Sequence, residues 1–343
     1  MSEVKRTEIS TLGEFCLIEK LTKEFKLKNK SSIKGVGDDA AVLDYSGFNT
    51  VVSTDLLVEG IHFDLAYFPL RHLGFKSVIV NLSDIYAMNA IPKQITVSIA
   101  LSNRFSVEAL EELYFGIKTA CDAYGVDLIG GDTTSSKSGL VMSITALGVG
   151  EEDKLTYRSG AKSGDLICVT GDLGASYLGL QLLEREKQLL QSDPSIKTDL
   201  ENQKYIVGRF LKPEARRDII DLFQKSGLKP TAMMDISDGL ASELFHIAKQ
   251  SKVGILIEED KVPMHPDSQQ MALRFNVDPI NAALNGGEDY ELLFTIDPKD
   301  MELVKYMPDI SIIGEVKKLE EGIKMLSTGG NLFDLKAQGW KHF

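Results

Sequence analysis

Aspartate recurs in this chain where a turn or the end of an element would hold it. Gly37-Asp38-Asp39 precedes an apolar run, and Ser53-Thr54-Asp55 ends one. Asn81-Leu82-Ser83-Asp84 lies inside an apolar helical stretch, and Gly130-Gly131-Asp132-Thr133 follows a strand-like one. Met234-Asp235-Ile236-Ser237-Asp238-Gly239 joins a strand pattern to a helix pattern. Taken singly, each reads as a turn or a helix cap. Asn81 and Asp84 say more, because residues three apart share a helix face. They sit among Val78, Ile79, Val80, Leu82, Ile85 and Met88, where a carboxylate is costly to bury unless it is paired or bound to metal. If the acids converge, two like charges about 5 Å apart at an effective dielectric near 20 repel by roughly 3 kcal/mol. Several such acids stay ionised together only around cations. An oxygen-rich ligand set favours a hard ion, and Mg²⁺ is the natural choice. Mg²⁺ shared between aspartates and a nucleotide is a way to grip ATP without a P-loop lysine.

The usual nucleotide signatures are missing. No Gly-Lys dipeptide occurs, which excludes a Walker A loop, and His-Arg-Asp and Asp-Phe-Gly are absent. Gly35-Val36-Gly37 runs into Asp38 and Asp39, where a Rossmann turn would need bare backbone N–H groups for a pyrophosphate.

Helical spacing of Leu12, Phe15, Ile18, Leu21 and Phe25 predicts a first helix over Leu12–Phe25. Strands are expected at Ala40–Leu43 and Thr50–Ser53, then a helix over Leu73–Met88, a strand over Gln94–Leu101 and a helix over Val107–Tyr124. Strands at Asp127–Ile129 and Leu140–Val149 complete the first half. A linker near Gly150 opens a second unit. Its expected strands are Asp165–Thr170, Ala232–Ile236, Val253–Glu258 and Glu291–Ile296; its expected helices include Gly239–Ser251 and Pro298–Tyr306. The polar stretch Glu184–Lys204 reads as a solvated helix and loop. The irregular alternation of strands and helices predicts an α+β (α/β) fold in two domains, 1–150 and 151–343.

Length agrees, since 343 residues correspond to about two domains at roughly 150 residues each. The net charge of −12 argues against nucleic-acid or anionic-membrane surfaces. Cys16, Cys121 and Cys168 are scattered and odd in number, so neither a disulfide framework nor a structural zinc site is expected. The polar N-terminus and the lack of a long uncharged apolar run predict a cytoplasmic protein with no membrane span.

Taken together, the motifs resemble a known family. Gly35-Val36-Gly37-Asp38-Asp39-Ala40-Ala41, Ser53-Thr54-Asp55, Glu59-Gly60-Ile61-His62-Phe63, Asn81-Leu82-Ser83-Asp84, Gly130-Gly131-Asp132-Thr133, Met234-Asp235-Ile236-Ser237-Asp238-Gly239-Leu240 and Gly286-Gly287-Glu288-Asp289-Tyr290-Glu291-Leu292-Leu293-Phe294 occur in the order and spacing of the thiamine-monophosphate kinases. Gly13-Glu14-Phe15 and Gly339-Trp340 also look like that family. The acidic motifs alone would fit the wider superfamily of aminoimidazole ribonucleotide synthetase; the segments at 59–63 and 286–294 favour the kinase.

The resemblance implies the two-domain architecture of that superfamily, with an N-terminal ATP- and Mg²⁺-binding domain whose sheet pairs across a homodimer. It implies a C-terminal α/β domain closing over the nucleotide. Asp39, Ser53, Thr54, Asp55, Asp84, Asp132, Asp235 and Asp238 would hold Mg²⁺. Tyr114, Gly131, Asp132, Arg158 and Ser237 would contact ATP, and His62, Glu288 and Trp340 the thiamine phosphate. Asp84 and Arg158 would serve catalysis. On the residues alone, Tyr114 fits helix packing as well as a nucleotide contact. The implied reaction is transfer of the γ-phosphate of ATP to thiamine monophosphate. A phosphate monoester is already largely dianionic near neutral pH, so the acceptor needs no base and direct in-line attack is expected.

Overall fold

The computed structural model describes residues 7, 17, 20–34, 42–198 and 200–338. The expectations for Asp39, Trp340, Cys16, Gly13-Glu14-Phe15 and most of the first helix lie outside those residues. The chain forms two compact units, Met1–Ile85 with Ala90–Asp153, and Tyr86–Asn89 with Lys154–Phe343.

In the first unit a short antiparallel pair, β1 (Ser32–Lys34) and β2 (Val42–Leu43), precedes β3 (Asn49–Val58) and α1 (Leu70–Ala87). Then come β4 (Ile91–Leu101), α2 (Val107–Tyr124), β5 (Asp127–Ser135) and β6 (Leu140–Gly150). Strands β3, β6, β4 and β5 form one sheet in that order, parallel only between β4 and β5. The side-chain period of two decides which face is covered. On β6, Leu140, Met142, Ile144 and Ala146 are buried while the residues between them are half-buried. Ile85 of α1 rests against Gly148 on the covered face. The other face is open, and there Val52 and Leu56 of β3 are exposed.

Helix α1 is buried without a break from Leu73 to Ser83, its polar Lys76, Ser77, Asn81 and Ser83 included, which explains a sequence without an amphipathic pattern. Helix α2 starts where the Ser106 hydroxyl accepts the Ala109 N–H and stops at left-handed Gly125.

Strand β5 corrects the sequence reading. The Gly130-Gly131-Asp132-Thr133 segment is not a turn after a three-residue strand; it continues the strand, pairing with β4 as far as Leu101 and Ser135. Glycine hides such a strand, since it marks a close backbone approach as readily as a turn. A Cβ on Gly131 would lie 1.8 Å from the Val97 carbonyl oxygen.

The second unit runs β7 (Leu166–Thr170), α3 (Ala175–Ser192), α4 (Lys204–Leu211), α5 (Arg217–Ser226), β8 (Ala232–Asp235), α6 (Leu240–Ser251) and β9 (Gly254–Glu258). It continues through α7 (Pro266–Arg274), α8 (Pro279–Asn285), β10 (Leu292–Ile296), α9 (Met301–Val304), β11 (Ile310–Lys317), β12 (Ile323–Leu326) and β13 (Leu332–Asp334). The sheet order is β13-β12-β9-β11-β7-β10-β8, with β12 and β9 the parallel pair. All five residues of β10 are buried, as expected of a strand covered on both faces. Ile167 and Val169 of β7, Met234 of β8, Ile236, Leu244 of α6 and Ile255 of β9 share one core with Leu293 of β10. The 184–204 stretch is less solvated than its composition suggests: α3 extends through it to Ser192 and buries Glu186.

Candidate active site

Within the first unit, β3 and α1 bring Ser53, Asp55, Asn81 and Asp84 together. The alternation along β3 turns Ser53 and Asp55 to one side of the strand. The Ser53 hydroxyl donates to the Asp84 carboxylate. Asn81, one helical turn before Asp84, accepts the Asp55 backbone N–H through Oδ1 at 3.0 Å and donates to the Ser77 carbonyl at 3.1 Å. The amide thus fixes the strand against the helix. Burial pushes the Asp55 carboxyl up to about 6, and the Asp84 charge adds to the shift. This is a two-carboxylate group that is costly to ionise without a cation.

Thr54, between Ser53 and Asp55, points to the opposite face. Its hydroxyl donates to the Ile144 carbonyl at 3.1 Å and accepts from Thr145 at 3.0 Å. Its side chain therefore does not join the group. Nor does Asp132. It is exposed, stands opposite Ser98 on β4, and is three strand spacings from β3, about 14 Å at roughly 4.8 Å each. One ion cannot take both Asp55 and Asp132 as ligands across that distance. His62 follows β3 in a turn in which its Nδ1 accepts the Val58 N–H at 2.9 Å. That bond places the ring proton of neutral His62 on Nε2. Tyr114 is buried in α2 with its ring edge-on to Phe25.

A second group lies at the end of β8. Asp235 is buried there, and Ser237 and Asp238 are half-buried in the turn leading into α6. The segment Gly286–Glu291 runs alongside this turn. Glu288 N–H donates to the Ser237 carbonyl at 2.7 Å, Tyr290 N–H to Ile236 at 2.9 Å, and Ile236 N–H back to Glu291 at 2.8 Å. The segment is strained: Gly287, Glu288 and Tyr290 have φ of 74°, 57° and 53°. A left-handed non-glycine residue costs roughly 1 kcal/mol or more.

Two inward acids hold that conformation. Asp289 accepts the Gly174 N–H at 2.8 Å and the Ser176 N–H at 3.5 Å, capping α3. Glu291 takes Arg209 at 2.9 Å, Arg216 at 2.6 Å and the Thr170 hydroxyl at 2.6 Å. Glu288 immediately precedes these anchors. Arg158 is elsewhere in this unit. Its carbonyl is bonded to the Ser251 hydroxyl at the C-terminal end of α6, whereas Asp238 lies before the N-terminal end. The twelve residues of α6 separate the two by about 18 Å. Arg158 is exposed and makes no ion pair with a described residue. Among the described residues, no three His, Cys, Asp or Glu side chains are close enough to hold a metal ion by themselves.

The chain matches the AIR synthase related protein N-terminal domain over residues 37–150 and the C-terminal domain over 162–324. It is 34% identical over 335 residues to the thiamine-monophosphate kinase of Aquifex aeolicus, covering 98% of this chain and 99% of that protein. To the thiamine-monophosphate kinase of Bacillus subtilis it is 36% identical, covering 97% and 100%. A solved structure described as AaThiL complexed with AMPPCP and TMP is 34% identical, covers 100% of both chains and superposes with a TM-score of 0.75.

The chain belongs to the thiamine-monophosphate kinase family.

The fold expected from the resemblance is therefore the observed one, an AIR synthase-like pair of α+β domains. The motifs of this family did not single out Glu243. It stands five residues after Asp238 in the first turn of α6, and its Oε1 accepts the Asp238 N–H at 2.9 Å. Burial pushes its carboxyl up to about 8, and Asp238 and Asp235 push the same way. An acid in the first turn behind an Asp-Gly pair is a capping pattern, a signal present in the sequence. Its burial beside two aspartates is not.

Proposed function

We propose that this chain catalyses ATP-dependent phosphorylation of thiamine monophosphate to thiamine diphosphate, a step of thiamine diphosphate biosynthesis. The observation that carries the reading is full-length similarity to a protein whose structure holds AMPPCP and TMP. The acidic groups support it. Asp55 and Asp84 with Ser53 in the first unit are hard oxygen donors suited to Mg²⁺, and so, by themselves, are Asp235 and Asp238 in the second. The Asp55 carboxyl, raised by burial and then by the Asp84 charge, is a donor that a cation would stabilise in its ionised form. Phosphate oxygens of ATP would complete the coordination, as is usual for Mg²⁺. Bound there, Mg²⁺ neutralises phosphate charge. Asp39 and Asp132 would serve other ions of the same set.

The acceptor phosphate of thiamine monophosphate attacks the γ-phosphorus directly. No residue has to remove a proton, so the chain's work is alignment. His62, donating through Nε2, Glu288, presented by its strained turn, and Trp340 are assigned to the thiamine phosphate. A tryptophan face suits the cationic thiazolium. Gly131, Ser237 and Arg158 are assigned to ATP. Arg158 would also offset charge in the transfer.

The open face of the first unit's sheet, with Val52 and Leu56 exposed, supports a homodimer joined there. Among the described residues no helix is long and apolar enough to cross a membrane, which accords with a cytoplasmic enzyme. The test is purified protein with Mg²⁺-ATP and thiamine monophosphate, with diphosphate followed directly. Stoichiometric ADP and thiamine diphosphate are expected; phosphorylated protein after ATP alone would contradict direct transfer.

A further inference from the structure

Glu243 is 1% exposed, yet no arginine or lysine of the described residues pairs with it. Its Oε1 accepts the Asp238 N–H, while Oε2 is buried with no hydrogen-bond partner among the described residues. Asp238, whose backbone it holds, and Asp235 are neighbouring acids of its own sign. Capping alone does not explain the residue. A glutamine would accept the same N–H without burying a third carboxylate beside two others. A charge that repels its neighbours is useful only when something positive arrives. The backbone it holds belongs to Asp238, one of the acids assigned above to a divalent cation.

From this we propose that Glu243 is a positioning residue for the cation of the Asp235–Asp238 group. One oxygen fixes the Asp238 backbone, and the carboxylate as a whole supplies a negative charge that the bound cation neutralises. This rests on the function proposed above, and it assigns Glu243 no contact with substrate or nucleotide. Groups that orient metal ligands from behind commonly change metal affinity by about 10- to 100-fold when altered.

Glu243→Gln separates the two duties, since it keeps the acceptor and the shape and removes the charge. Mn²⁺ binding to the full chain in the presence of AMPPCP, followed by electron paramagnetic resonance, is the readout, with metal-free melting temperature beside it. The variant is expected to bind Mn²⁺ about tenfold more weakly, with a KM for thiamine monophosphate close to wild type. Its metal-free melting temperature should be equal or higher. Glu243→Leu, which also frees the Asp238 N–H, should bind more weakly still. Unchanged Mn²⁺ affinity in Glu243→Gln would reduce the residue to a helix cap and overturn the proposal. So would a drop in metal-free melting temperature or failure to fold, because Glu243 would then be a structural ion. A wild-type chain that binds no Mn²⁺ with AMPPCP would instead sink the functional reading, a distinct result.

Discussion

At the scale of single residues, Asp55 yields a prediction whose sign is fixed by its environment. Its carboxyl titrates at about 6 in the folded chain against an ordinary 3.8, mainly through burial and then through Asp84. Between those values the folded chain keeps a proton that the unfolded chain releases. The stability due to the neutral acid is complete below pH 3.8 and is lost as the pH rises through 6. Above pH 6 the full penalty stands, about 3 kcal/mol at 1.36 kcal/mol per unit. Asp55→Asn should therefore raise the melting temperature of the cation-free protein at pH 8 and change it little near pH 4. An equal gain at both values would mean that ionisation is not the cause. Asp84→Asn should abolish turnover with little loss of fold, because it removes charge and keeps shape. Circular dichroism beside the kinase assay checks it, and an unfolded variant whose folded fraction is fully active would make Asp84 structural. The spacing of Asn81 and Asp84 made this group legible from sequence. The pairing of Ser53 with Asp84 was not, because it depends on the strand lying over that face of the helix.

At the scale of elements, the turn Ser237–Gly239 and the segment Gly286–Glu291 behave as one piece. A Cβ on Gly287 would lie 2.5 Å from the Ser237 carbonyl oxygen, and the residue's φ is 74°. Gly287→Ala should cost about 2 kcal/mol or more from left-handed strain and overpacking. It should also displace both sides of the contact, raising the Mg²⁺ requirement and the KM for thiamine monophosphate together. Glu288→Gln should raise only the latter. Parallel titrations of both variants decide this, and a Gly287→Ala protein altered in one parameter alone would break the coupling. Long periodic elements such as α2 and α6 were readable because their apolar spacing matches a helix. What escaped was short, polar or glycine-rich. The outer half of β5 is held by pairing with β4 rather than by its own propensity, and α4 and α5 lie in a stretch assigned no element.

At the scale of the whole molecule, the open sheet face and the net charge make opposite demands. Val52 and Leu56 expose 58% and 54% of their surface on one face of β3, a pattern that favours association. Each chain carries −12, so a homodimer would carry 2 × (−12) = −24. Long-range repulsion therefore opposes the pairing that apolar burial drives. Salt screens the first within a Debye length of about 8 Å at 0.15 M and leaves the second intact. The dimer dissociation constant should consequently fall as salt rises from low to physiological strength, the reverse of an interface held by ion pairs. Val52→Lys with Leu56→Lys should give a folded monomer, since both side chains already face water in the single chain. Sedimentation equilibrium across a salt series tests both statements. A wild-type chain that stays monomeric at high micromolar concentration would remove the dimer from the proposal. A dimer that salt dissociates would place the interface on a charged surface elsewhere.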